Sequence, residues 1–216
     1  MMKLNPLLFL IGFLISNIVS AQVFDVPYKD DAPTRTLLIS VQKAKAVVLL
    51  FPGGGGILRL QGDGSSTNPH TFVRSRNMWA QYGIDSVLVD TPYDLGAGMR
   101  NSRSIRDHQQ RILNVVRYCK EKLNLPIWIF GHSMGTVSVT EFVNGGIDQS
   151  KLISGVIVAG TYRVSLNRFR YQHAGAGHPS CGGWLCIHTF FHLGKYYQKQ
   201  TQHINIAIHR DGWRHH

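Results

Sequence analysis

Residues 131–135 have the sequence Gly-His-Ser-Met-Gly, in which a serine is flanked by glycines at a spacing that suits a nucleophile. The apolar run 127–130 comes directly before them. A sharp turn from a strand into a helix would hold the serine in a strained backbone conformation. Bulky residues two positions to either side would collide with neighbouring elements, and Gly131 and Gly135 avoid this collision. The pattern therefore predicts that Ser133 is a nucleophile at the start of a helix.

Attack on a carbonyl group also requires N–H donors for the oxygen that becomes negative. A helix that begins just after Ser133 would place the N–H of Met134 and the positive end of its dipole beside that oxygen. Segment 53–56 consists of four glycines that follow another apolar run, which indicates a functional loop. A phosphate-binding loop is the alternative, but the segment lacks the Gly-Lys-Ser/Thr end of a P-loop and the spacing of a dinucleotide-binding loop.

The elements that would position these residues alternate between strands and helices. Apolar runs typical of strands buried on both faces of a parallel sheet occupy residues 46–51, 86–89, 127–130 and 155–159. Helical patterns occupy residues 71–82, 105–123 and 136–143, with Gly83 as the stop of the first and Ser104 as the N-cap of the second. This order predicts an α/β protein with a doubly wound, mostly parallel sheet.

From about residue 46 to residue 162 the chain resembles the α/β-hydrolase superfamily, in its branch of serine esterases and lysophospholipase-like enzymes. The matching segments are the glycine-rich 52–56, the strand 86–90 and the turn 131–135. The resemblance implies the α/β-hydrolase fold with Ser133 on its nucleophile elbow, and a second oxyanion donor at Gly54 or Gly55. It also implies a Ser, Asp/Glu, His triad in that chain order. The substrate would be a carboxylic ester or an amide, cleaved through an acyl-enzyme intermediate, and no cofactor is implied.

The last part of the chain departs from this family. Two more strands should follow residue 159, the first of them ending at an acid, with a histidine in a later loop, but residues 168–197 have no clear period. If the tail is native, Asp211 is the candidate acid, since it is the only one after Asp148, and His209 or His178 is the candidate base.

A change of reading frame near Asn167 or Arg168 is the interpretation that we favour for this tail. One permitted set of synonymous codons, shifted by one nucleotide, encodes an apolar run followed by Asp-Gly-Cys, which restores a strand and an acid. The C-terminal strands of the fold would then be missing or aberrant in this chain. The nucleotide sequence across this junction tests the interpretation.

The tail also contains a pattern that suggests a metal site. The pattern is C-x4-C-x-H-x3-H, and its residues are Cys181, Cys186, His188 and His192. These residue types bind zinc, but the spacing matches no standard zinc finger closely. Outside the cytoplasm the two cysteines would instead form a disulfide. We favour an accident of the shifted frame over both, and therefore expect no metal site.

The first 21 residues have the features of an export signal. Lys3 gives a positive start, residues 4–19 are mostly apolar, and Val19-Ser20-Ala21 suits a cleavage site. A membrane anchor is the alternative, but the apolar run is interrupted and short for a span of roughly 20 residues. We therefore predict a signal peptide at 1–21, a hydrolase core at 22–167 and an atypical tail at 168–216. The protein would be secreted or periplasmic, with no stable membrane insertion after cleavage.

The formal net charge of +11 raises the possibility of a nucleic-acid partner. Residues 163–216 hold seven Lys and Arg against one acid, so much of the excess lies in the tail. These residues form no basic helix face, and export also argues against nucleic acid. We expect a small-molecule ester or amide as the partner.

Five further residues are expected to have no catalytic role. His132 should point away from its neighbour Ser133 and pack, and Cys119 should be a small core residue. Asp90 ends a strand but precedes the serine, where the family's acid does not lie, so a capping or loop role is expected. His70 and His108 are expected at the surface.

Overall fold

The structure is a computed structural model that describes residues 19–29, 32–95, 98–145, 149, 151–160 and 187–189. Its strands are β1 (Val19–Val26), β2 (Thr34–Val41), β3 (Ala46–Phe51), β4 (Ile84–Val89), β5 (Ile127–His132), β6 (Gly155–Ala159) and β7 (Ile187–Thr189). Its α-helices are α1 (Thr71–Ser75), α2 (Arg106–Leu123) and α3 (Gly135–Asn144), and short 3₁₀ helices span Trp79–Tyr82 and Tyr93–Leu95.

The strands form one mixed sheet in the order β1-β2-β4-β3-β5-β6-β7. Strands β4, β3, β5, β6 and β7 are parallel, whereas β2 is antiparallel to both β4 and β1. The four apolar runs of the sequence form β3 to β6, and most of their residues are buried. The predicted α/β class with a mostly parallel sheet is therefore confirmed.

Strands β1 and β2 are not predicted by the sequence analysis. β1 lies at the edge of the sheet, is largely exposed and mixes polar with apolar residues, so it carries no buried-strand signal. Its first three residues, Val19-Ser20-Ala21, also belong to the proposed cleavage site, where they pair with Ile39, Ser40 and Val41 of β2. No helix among the described residues is long and apolar enough to cross a membrane.

Two of the three predicted helices differ in detail from the structure. Segment 71–82 is divided into α1 and a 3₁₀ helix, and between them the carbonyl of Arg76 accepts a hydrogen bond from Ser86 Oγ at 3.0 Å. Helix α2 has Ile105 as its N-cap, so the predicted cap at Ser104 is wrong. The N–H of Ile105 bonds to the carbonyl of Ser102, which closes a separate turn before the helix. Gly83 does end its helix, with φ of +69°.

The core lies in two layers, one on each face of the sheet. Helices α2 and α3 cover one face, where Val115, Cys119 and Phe142 are fully buried against β3, β5 and β6. On the other face α1, the 3₁₀ helix at 79–82 and residues 58–60 pack against Leu50, Leu88 and Phe130. The predicted core position of Cys119 is confirmed, and burial raises the pKa of its thiol to about 12.

The parallel register brings the ends of three strands to one edge of the sheet. Phe51 at the end of β3 pairs with Gly131, and His132 at the end of β5 pairs with Ala159 at the end of β6. The glycine-rich segment, the serine turn and Gly160 therefore all leave the sheet at the same place. Ligand sites of open parallel sheets form at this carboxyl edge.

Replacing Phe142 by alanine should destabilise the protein by about 3–5 kcal/mol, because the side chain is fully buried between α3 and the sheet. Urea unfolding of the full chain measures this change. Tyr82→Ala is the control, since Tyr82 is 56% exposed, and should cost less than about 1 kcal/mol. Equal losses in the two variants would mean that α3 does not pack as described.

Candidate active site

Ser133 occupies the turn between β5 and α3 with φ of +51°, in the left-handed region that side chains rarely adopt. Its N–H donates to the carbonyl of Ala159 at the end of β6, over 2.9 Å. Its carbonyl accepts from the N–H of Thr136 at 3.0 Å and from the hydroxyl of Thr136 at 2.6 Å. These bonds hold the strained conformation that the sequence pattern predicts at this position.

Gly131 and Gly135 occupy positions where no side chain fits. A Cβ atom on Gly131 would lie 2.6 Å from the carbonyl oxygen of Gly135, and one on Gly135 would lie 2.0 Å from the carbonyl oxygen of Phe51. The start of α3 is thus in backbone contact with the end of β3. The predicted steric reason for both glycines is confirmed.

Residues 52–56, which we call the glycine loop, pass directly beside the serine. A Cβ atom on Gly53 would lie 3.0 Å from Cβ of Ser133. Gly54 and Gly56 have φ of +57° and +81°, so these two positions require glycine for conformational reasons as well. The loop places backbone groups, rather than side chains, next to Ser133.

Asp90 holds the chain that continues from the glycine loop. Its buried carboxylate accepts the N–H groups of Leu58 at 2.6 Å, Leu60 at 2.8 Å and Thr91 at 2.7 Å. Burial raises the pKa of Asp90, although these three hydrogen bonds oppose that rise. The predicted loop role of this residue is confirmed.

Three backbone N–H groups around Ser133 make no hydrogen bond within the part of the chain that the structure describes. They belong to Gly54, Gly55 and Met134, the three residues that the sequence analysis selects as oxyanion donors. By contrast, the N–H of Gly53 donates to His70 and that of Gly56 to the carbonyl of Gly53. Buried or half-buried N–H groups are normally paired, so these three are candidates to bind a ligand.

Two histidines pack beside the glycine loop and the serine. His70 is half-buried and its Nε2 lies 3.1 Å from the N–H of Gly53, so its expected surface position is wrong. Burial lowers the pKa of His70 to about 4, which keeps the imidazole neutral at pH 7. His132 packs edge-on against His70 and Phe72, as predicted, and burial lowers its pKa.

His108, also expected at the surface, is buried beneath the site. Its Nε2 lies 2.9 Å from Ser138 Oγ, which in turn accepts a bond of 2.7 Å from the guanidinium of Arg103. Burial lowers the pKa of His108 to about 3 and that of Arg103 to about 10. The sequence does contain a pattern that indicates this burial, because His108 lies four residues before Ile112 on the apolar face of α2.

The remaining predicted site residues fall in the tail. Asp211, His209 and His178 lie outside the described residues, as do Cys181, Cys186 and His192. His188 lies in β7, which pairs in parallel with β6. This strand is three residues long and therefore too short to produce the periodic signal that the sequence analysis sought. Within the described ranges no three His, Cys, Asp or Glu side chains are grouped to hold a metal ion.

Comparison with solved structures finds similarity to hydrolases. The chain is similar to a brefeldin A esterase, a bacterial homologue of human hormone-sensitive lipase, with a TM-score of 0.50 and 16% identity over 68% of this chain and 41% of the esterase. It is also similar to a dienelactone hydrolase from Anabaena variabilis, with a TM-score of 0.48 and 15% identity over 66% and 64% of the two chains. A thermostable carboxyl esterase from Bacillus coagulans gives a TM-score of 0.46 and 16% identity over 64% and 44%.

The chain therefore has the α/β-hydrolase fold, and the fold implied by the resemblance in the sequence is confirmed. The chain spans less than two thirds of the length of each of these three solved structures. No protein-family model and no curated protein matches the chain.

Gly135→Ala should unfold or strongly destabilise the protein, by at least about 2 kcal/mol, because the new Cβ would overlap the carbonyl of Phe51. Thermal and urea unfolding measure the loss. Gly62→Ala is the matched control: nothing lies within 4 Å of its Cβ position, and a change of less than about 1 kcal/mol is expected. A stable Gly135→Ala protein would show that α3 does not contact β3 at this point.

The buried His108 should make the protein sensitive to acid. The unfolded chain protonates this residue near pH 6.5, whereas the folded chain does so only near pH 3. Its contribution to stability is therefore complete above pH 6.5 and is lost as the pH falls towards 3. In His108→Gln the free energy of unfolding should fall less steeply over this range, as measured by urea unfolding.

Lys122→Gln, at an exposed position of the same helix, is the control for that experiment and should retain the steep pH dependence of the unchanged chain. An identical pH dependence in His108→Gln would mean that His108 is not held neutral in the folded protein.

Proposed function

We propose that the protein is a serine hydrolase that cleaves a carboxylic ester, or an amide, through an acyl-enzyme on Ser133. The observation that carries the proposal is the strained position of Ser133, with φ of +51°, between β5 and α3 and beside the glycine loop. The similarity to esterases of the same fold agrees with it. No cofactor is required by this chemistry.

The reaction would proceed in two steps. Ser133 Oγ attacks the carbonyl carbon of the substrate while a base removes its proton, and the carbonyl oxygen becomes negative. The N–H of Met134, with that of Gly54 or Gly55, would donate to this oxygen, and the N-terminus of α3 adds a favourable dipole. The alcohol or amine leaves with the proton, and water then hydrolyses the acyl-enzyme by the same route.

This proposal requires that the tail is in its native frame, in which case the tail supplies the acid and the base. Asp211 is the candidate acid and His209, or His178, is the candidate base. Asp211 follows His209 in the chain, whereas the usual order of the fold is serine, acid, histidine. Probe labelling of His209→Ala and His178→Ala, compared with the unchanged chain, would identify which histidine removes the proton.

A catalytically inactive or truncated protein of the same fold is the second candidate. The observation that favours it is the scarcity of acids: only Asp211 follows Asp148 in the sequence. A serine without its base retains only the part of catalysis that comes from the oxyanion donors and substrate binding.

Labelling with a fluorophosphonate probe separates the two candidates. We expect rapid labelling of the folded full chain and complete loss in Ser133→Ala, because the probe reacts with an activated serine hydroxyl. Ser65→Ala, which removes an exposed serine, should label like the unchanged chain. A folded chain that does not label would favour the inactive protein.

A metal-binding module formed by the tail is the remaining alternative. Such a module would bind stoichiometric zinc to the same extent in the unchanged chain and in Ser133→Ala. Zinc analysis of both proteins therefore distinguishes it from a hydrolase.

We also propose that the protein is exported to the periplasm or secreted, on the basis of the signal features of residues 1–21. Sequencing the N-terminus of the exported protein should give a chain that begins at Gln22. Recovery of the intact N-terminus in the membrane fraction would instead support an anchor.

A further inference from the structure

Arg103 is the largest of the fully buried side chains among the described residues, with 1% of its surface exposed. No carboxylate forms an ion pair with it in the described part of the chain, although three other ion pairs occur there. An unpaired buried guanidinium is costly, so its retention calls for a specific role.

The guanidinium of Arg103 is directed at the backbone of the glycine loop. One terminal nitrogen donates to the carbonyl of Pro52 at 2.8 Å and to the carbonyl of Gly54 at 3.0 Å. The other donates to Ser138 Oγ at 2.7 Å. Gly56 makes room for this arrangement, because a Cβ atom there would lie 3.2 Å from the guanidinium.

The bond to Gly54 also fixes the direction of a neighbouring N–H group. In a trans peptide the carbonyl of one residue and the N–H of the next point in opposite directions. When Arg103 holds the carbonyl of Gly54, the N–H of Gly55 must therefore point away from the guanidinium. The same rule holds for the bond to Pro52, where the N–H of Gly53 points away and donates to His70.

Ser138 and His108 hold the other end of the guanidinium in place. Ser138 Oγ accepts from Arg103 and lies 2.9 Å from His108 Nε2, so this hydroxyl links the guanidinium to the imidazole. Burial lowers the pKa of His108 to about 3, which keeps this ring neutral at pH 7. Arg103 is thus the one charged member of this buried group, and its charge polarises the Gly54–Gly55 peptide.

We propose that Arg103 is a positioning residue for the oxyanion site: it holds the carbonyl of Gly54 so that the N–H of Gly55 is presented to the negative oxygen. The inference rests on the proposed function, and it selects Gly55 over Gly54 as the loop donor. Arg103 itself does not touch the substrate. It acts through the peptide that it orients and through a positive charge that nearby water does not screen.

The test compares the rate of Ser133 labelling by a fluorophosphonate in the full-length protein and in Arg103→Ala. We expect a loss of about 100-fold, comparable to the removal of an oxyanion donor. Added guanidinium chloride at non-denaturing concentration should restore part of the rate in Arg103→Ala and none in Ser133→Ala. Labelling of folded Arg103→Ala at the unchanged rate would overturn the proposal.

Hydrogen exchange gives a readout that does not depend on activity. Arg103→Lys keeps the charge but cannot donate in the same planar geometry to Pro52, Gly54 and Ser138 together. We expect faster exchange of the glycine loop in this variant than in the unchanged chain. The matched control is Arg111→Lys, because Arg111 is also buried but donates to Ala32 and to two carboxylates instead.

The two readouts separate failure of this inference from failure of the proposed function. If the unchanged chain does not label, the hydrolase proposal fails, and loop exchange alone then decides the role of Arg103. Equal exchange of the glycine loop in Arg103→Lys and Arg111→Lys would reject the positioning role. Faster exchange confined to Arg103→Lys would support it.

Discussion

The backbone contact between α3 and β3 is the constraint on which the rest of the site depends. Gly135 lies so close to the carbonyls of Phe51 and Pro52 that the first turn of the helix rests directly on the end of the strand. This approach forces the chain between β5 and α3 through a tight turn, which explains the positive φ of Ser133. It also brings the glycine loop, which begins at the same strand end, beside the serine.

Two buried charges of opposite sign hold the irregular chain that follows β3. Arg103 donates to carbonyls of the glycine loop, while the carboxylate of Asp90 accepts N–H groups from Leu58 and Leu60. A segment without regular structure pairs only some of its own backbone groups, and each of these side chains supplies further partners of one type. The charges are thus used to fix the backbone conformation rather than to bind one another.

The sequence predicts the centre of this protein better than its edges. Strands β3 to β6 are recognisable because they are buried on both faces, and the elbow because steric limits require Gly131 and Gly135. A search for apolar runs does not detect β1, because an exposed edge strand needs no such run.

The polar residues under the site were harder to place from the sequence. Nothing local marks Arg103 as buried, since its partners are carbonyls at Pro52 and Gly54 that only the tertiary fold brings near. His108 has the right period for a buried face, but histidine is polar enough to be expected outside unless a partner such as Ser138 is known.

The pairing of β1 has a consequence for the order of events during maturation. The peptide bond after Ala21 lies within the β1–β2 ladder, where Ala21 is opposite Ile39 and Gln22 is opposite Leu38. A peptidase requires an extended, accessible segment, and a strand already paired in a sheet does not offer one. If residues 1–21 are removed on export, cleavage must come before β1 joins the sheet, so that processing and folding are kinetically ordered.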